Sequence, residues 1–117
     1  MATLDAVYSA RGRSGQDLPA SQPVAGSVTG SPFSVTDALA VATPAIDAGL
    51  VWVHPTTPVH IRISRAGTAA TVNNMLLPGG QITQLAWRTG DILSMIAPAS
   101  GTPVVHVEAA RAHGQEV

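Results

Sequence analysis

The sequence predicts an all-β fold: a small antiparallel β-sandwich, jelly-roll-like, with an extended N-terminal arm. Three observations lead there. From Pro32 onward, short apolar segments are separated by turn residues about every eight to twelve positions, the spacing of an antiparallel sandwich or jelly roll. Several of these segments alternate apolar and polar side chains with a period of two, which gives a strand one core face. The early apolar run from Ala38 to Ala45 is bracketed by Pro32 and Pro44, too short and too proline-flanked for a helix.

The arm comes first. Between Ala10 and Ser31, glycine, serine, proline and alanine dominate, and apolar residues appear singly with neither a 2.0 nor a 3.6 period. Such a composition does not offset its own ordering entropy. The expected division is therefore an arm over residues 1–31 and a sandwich over residues 32–117, with the arm packed on another polypeptide through Leu4, Val7, Tyr8, Arg11 and Arg13.

The strands follow in order. Phe33, Val35 and the run to Ala45 read as one or two strands, and Gly49 to Pro55 as a strand closed by a proline turn. The next, Val59 to Ser64, sets Val59, Ile61 and Ile63 against His60, Arg62 and Ser64. Ala69 to Val72 forms another short strand, Asn73 and Asn74 supply turn chemistry, and Met75 to Gly80 makes an exposed-to-buried corner. Gln81 to Trp87 is a strand, and Thr89 to Asp91 turns the chain into Asp91 to Ala97. There Ile92 and Ile96 share one face and Leu93 and Met95 the other, so both faces are apolar and one is expected to lie against another subunit through Leu93 or Met95. The closing strand sets Val105 and Val107 against His106 and Glu108. The expected core is Val51, Val53, Val59, Ile61, Ile63, Val105 and Val107.

Composition limits the function. The 117 residues leave room for one domain. Charged residues are 11% of the chain, apolar residues 45% and aromatics 3%, a weakly charged surface for a monomer of this size, so part of it is expected to lie against protein. All six basic residues are arginine, the better choice at an interface because its planar fork pairs bidentately. A net charge of −1 gives no footprint for nucleic acid or an anionic membrane. No signal peptide or membrane span is expected, because no basic region precedes an apolar run and no eighteen apolar residues occur in succession.

Candidate chemistry is sparse. The absence of cysteine excludes disulfides, thiolate nucleophiles and cysteine-based metal sites. His54, His60, His106 and His113 occur without HxH or HExxH spacing, so no metal site is expected. There is no GxSxG elbow and the acids are scattered singly, with Asp91 placed as a turn former; no catalytic residues and no cofactor are expected. Gly79 and Gly80 precede a strand rather than the helix that a phosphate cradle needs. Trp52 and Trp87 suit core or interface anchors better than a sugar-stacking platform.

The segments "PVHIRIS" (Pro58 to Ser64), "GTAAT" (Gly67 to Thr71), "MLLPGG" (Met75 to Gly80), "TGDILSMIA" (Thr89 to Ala97) and "GTPVVHVEA" (Gly101 to Ala109) succeed one another along half the chain. In this pattern the chain resembles small β-sandwich virion structural proteins of tailed bacteriophages and gene transfer agents. The resemblance implies a non-enzymatic capsid decoration, cement or head-spike-base protein, made in the host cytoplasm and located in the virion. Its implied partners are itself, as a homo-oligomer with a trimer as the first guess, and the major capsid protein or another virion structural protein; nucleic acid and membrane are not among them. The alternative is a carbohydrate- or receptor-binding sandwich of a fibre or tail, which exposed tryptophans would favour. A cupin-type enzyme or metal protein would need two histidines and a carboxylate to converge.

Overall fold

The computed structural model describes residues 21–112, and in them nine strands and no helix. They are β1 (Ser21–Pro23), β2 (Phe33–Ser34), β3 (Val41–Ala42), β4 (Leu50–Pro55), β5 (Val59–Ser64), β6 (Met75–Leu77), β7 (Thr83–Ala86), β8 (Ile92–Ile96) and β9 (Val104–Ala112). One sheet has the order β1-β9-β4-β7, with β2 also paired to β9, and the other has the order β3-β8-β5-β6. All pairings are antiparallel. From β2 to β9 the chain crosses between sheets at most steps, so β2-β9-β4-β7 faces β3-β8-β5-β6, the interlocked Greek keys of a jelly roll.

Period-two patterning builds the core between the sheets. Val51, Val53, Val59, Leu93, Met95, Val105 and Val107 are wholly buried there, joined by Val35, Phe33, Leu77 and Trp87. Each such valine removed from water contributes about 1.5–3 kcal/mol. Ile61 is buried as expected, but Ile63 remains 37% exposed. The reason lies in register: β6 pairs with β5 only from Val59 to Ile61, so at Ile63 the strand has its β8 partner, Leu93, and, among the described residues, no third strand beside it.

The arm boundary moves. Residues 21–31, placed by composition in the arm, belong to the sandwich. β1 pairs with the far end of β9, β2 pairs with its beginning, and between them the chain runs along the same β9 edge. There Ser31 Oγ accepts from Val107 N at 2.9 Å, Ser27 Oγ accepts from Ala109 N at 2.8 Å, and Val24 N donates to Ala109 O at 2.8 Å. Serine hydroxyls thus take the place of a strand's carbonyls, and Val28, 4% exposed, plugs the core behind them. A serine-rich segment with no hydrophobic period still orders when its hydroxyls satisfy a ready-made strand edge. Leu4, Val7, Tyr8, Arg11, Arg13 and His113 lie outside the described residues.

The strand expected at Ala69 to Val72 is instead a turn laid over the outer face of the β3-β8-β5-β6 sheet. Thr71 N donates to Asn74 Oδ1 at 2.8 Å, Asn73 N to Thr71 Oγ1 at 3.2 Å, and Asn74 N to Thr71 O at 3.0 Å. These local side-chain bonds outcompete a ladder. Ala70 is buried and donates its N–H to Ser94 Oγ at 2.9 Å, on the outward side of β8. Gly67, at φ 74°, sits so close over Ile92 that an added Cβ would meet its Cδ1 at 3.3 Å.

That turn explains the two apolar faces of β8 and corrects the expected assembly contact. Leu93 and Met95 are wholly buried in the chain's own core, opposite Ile63 and Ile61, and offer nothing to another subunit. The second face, carrying Ile92, Ser94 and Ile96, is partly covered by the chain's own β5–β6 connection.

Candidate functional site

Two outward surfaces collect the side chains that the core does not use. The first lies on the outer face of the β1-β9-β4-β7 sheet. Because Val51, Val53 and Pro55 point inward, Trp52 and His54 point outward; because Val105 and Val107 point inward, so His106 and Glu108 point outward. Register then places His106 opposite His54 and Glu108 opposite Trp52. The two imidazole centroids are 6.3 Å apart with planes inclined at 36°. A shallow depression of about 170 Å³ is lined by Pro23, Trp52, His54, Ile82, His106 and Glu108.

Trp52 is half-buried and anchored. Its Nε1 donates to Ser21 Oγ at 2.7 Å, and that hydroxyl donates to Gln84 Oε1 at 2.5 Å. This relay joins β1, β4 and β7 across the outer face and holds the indole in one orientation. Trp87 is only 7% exposed and belongs to the core, and its Nε1 has no hydrogen-bond partner among the described residues. The two tryptophans thus divide between core and outer face, so only Trp52 offers a surface.

The remaining candidates are dispersed. His60 lies on the other sheet, where its Nδ1 bonds the Asn74 carbonyl at 2.8 Å; since a carbonyl only accepts, Nδ1 carries the proton. Asp91 sits in the turn expected of it, with its N–H donating to Arg88 O at 3.0 Å and its carboxylate near Arg88 at 3.4 Å and Arg65 at 3.5 Å. Both arginines are well exposed, so each pair contributes under about 1 kcal/mol. Among the described residues, no three histidine, aspartate or glutamate side chains converge to hold a metal ion.

The second surface is apolar. β6 is an edge strand among the described residues, with Met75 and Leu76 standing 60% and 49% exposed on it and Val72, in the turn that precedes it, 56% exposed. Ile63 is partly exposed beyond the end of the β6 pairing, and Ile82, exposed, immediately precedes β7 at the corresponding edge of the opposite sheet. Gly79 holds the β6–β7 link hard against the β4–β5 turn, where any side chain would overlap the Thr57 backbone, and Gly80 N donates to Pro55 O at 2.8 Å. The corner expected over Met75 to Gly80 is instead the strand β6 at Met75–Leu77 with the turn only after it, and the exposure of Met75 and Leu76 was not legible because it depends on β6 pairing, among the described residues, on one side only. A third feature, an open depression of about 400 Å³ between residues 56–58 and 97–103, is lined by small, proline and hydroxyl side chains with no titratable group.

Fold and surfaces together define a jelly-roll β-sandwich whose described residues present a rigid sheet face and an apolar edge. No family model, curated protein or solved structure matches this chain.

Proposed function

We propose that the chain is a non-enzymatic virion structural protein, a capsid decoration, cement or head-spike-base component that assembles as a homo-oligomer and attaches to the shell. The observation that carries this reading is the apolar edge at Val72, Met75 and Leu76, exposed among the described residues. An edge strand presents unpaired backbone groups, and natural sandwiches blunt such edges with charge, proline or a covering segment. Here the strand is only three residues long and closed by Pro78, but its exposed side chains are methionine and leucine, with valine in the turn before it, the composition of a surface that another protein covers. The jelly-roll architecture is in keeping with the reading, since capsid domains use it, although lectins and cupins do too. The test is mass spectrometry of gradient-purified particles from cells that encode the chain. The reading expects it at a fixed stoichiometry to the major shell protein; its absence from particles while abundant in the cells overturns the reading.

The partly exposed Trp52, with His54, Gln84, His106 and Glu108 around it, favours one second reading: a carbohydrate- or receptor-binding module of a fibre or tail. Quenching of indole fluorescence by added glycans, lost in Trp52→Ala, would select that reading over the first.

A further inference from the structure

We propose that His54 and His106 form a two-imidazole binding site for a divalent transition-metal cation of the zinc, nickel and copper class. This goes beyond the shell-attachment reading and does not depend on it. Both side chains are exposed and stand on directly paired positions of β4 and β9, the two central strands of their sheet. The backbones beneath them are held by five successive cross-strand pairs, so the two histidines cannot drift apart without breaking the ladder. Directly opposed residues of an antiparallel pair have their Cβ atoms about 4.5–5.5 Å apart, close enough for one ion to bridge two rings.

The geometry can be checked against bond lengths. With a zinc–nitrogen distance of about 2.0–2.1 Å, each ring centroid lies about 3.2 Å from the ion, and a tetrahedral angle sets the two centroids about 5 Å apart. The observed 6.3 Å and 36° therefore need closing by about 1 Å, a modest side-chain rotation for two exposed rings on fixed backbones. Glu108 follows on the same outward face two residues after His106 and lines the same depression, to which it adds negative charge. Trp52 and Ile82 form the apolar wall of the depression, which limits competing water on that side. Two protein ligands leave the other positions of the ion to water or to a donor from another chain, and imidazole ligation favours copper over nickel and zinc in the usual order.

The experiment uses the full untagged chain. Calorimetric titration with zinc chloride should give one ion per chain, and His54→Gln and His106→Gln should each weaken binding at least about tenfold, the loss that even a supporting partner of a metal ligand produces. His60→Gln and His113→Gln should bind as the unaltered protein does. Independently of any variant, imidazole resonances in two-dimensional NMR of the unaltered protein should shift at His54 and His106 on zinc addition and stay in place at His60. The proposal is overturned if zinc gives no saturable binding, if His54→Gln and His106→Gln bind as tightly as the unaltered protein, or if the shifting resonances belong to His60 or His113.

Discussion

Replacing Leu93 by alanine separates a core residue from an interface residue. Leu93 is wholly buried in a single chain, faces Ile63 across the β5–β8 ladder, and has its backbone N–H tied to Thr43 Oγ1 at 3.1 Å and its carbonyl to Thr43 N at 2.8 Å. Those backbone bonds hold β8 in place, so the structure around the missing side chain collapses only in part. Leucine-to-alanine changes at such sites cost about 2–5 kcal/mol, the upper half applying where the walls are rigid, and we expect about 4 kcal/mol here. Against a total stability of about 5–15 kcal/mol, that is a large fraction. Urea melts followed by far-ultraviolet circular dichroism should show the midpoint falling with an unchanged slope. The decisive control is concentration: a core residue gives the same loss at every protein concentration, whereas a residue buried between copies gives a loss that varies with it. A cost below about 1 kcal/mol, or one that varies with concentration, would refute the assignment of Leu93 to the core.

Other predictions follow from the β9 edge and the turns. Ser27→Ala with Ser31→Ala removes two acceptors from β9; each lost bond should cost about 1 kcal/mol, and amide exchange at Val107 and Ala109 should accelerate more than at neighbouring residues. Deleting residues 1–31 removes the Val28 plug and these bonds together, and a denaturant melt should show a loss of about 4 kcal/mol or more, not the intact sandwich that an arm ending at residue 31 would leave behind. Gly79→Ala drives a methyl group into the Thr57 backbone and should cost about 2 kcal/mol or more in thermal melts, whereas Gly49→Ala, with open space at that position, should cost far less.

The fold was legible where one residue type answered one constraint. Alternation in Val59 to Ser64 and in Val104 to Glu108 located β5 and β9 and their inward faces, because a strand's period of two is written in consecutive residues. Apart from the strand expected at Ala69 to Val72, lost to local bonds between Thr71 and Asn74, the errors have a common origin in partners far away in the chain. The exposure of Ile63 depends on where β6 stops, the partial cover of the outer β8 face on a turn that returns across the sheet, and the ordering of Ser27 and Ser31 on β9 some eighty residues later. Likewise, His54 and His106 carry no local spacing signal; a single register between β4 and β9 brings them opposite one another. Asp91 was legible as a turn residue because its N–H closes a local turn onto Arg88 O; its bridge to Ile46 and its approach to Arg65 come from far along the chain and were not.

Light scattering of the full chain, with and without Met75→Glu and Leu76→Glu together, tests the central proposal most directly. Both side chains are exposed, so the double variant should fold and melt as the unaltered protein does. The unaltered chain should have a mass of two or more whole chains, and the charged edge should reduce it to a single chain. A single-chain mass for the unaltered protein at every concentration, or an oligomer indifferent to both substitutions, would contradict it.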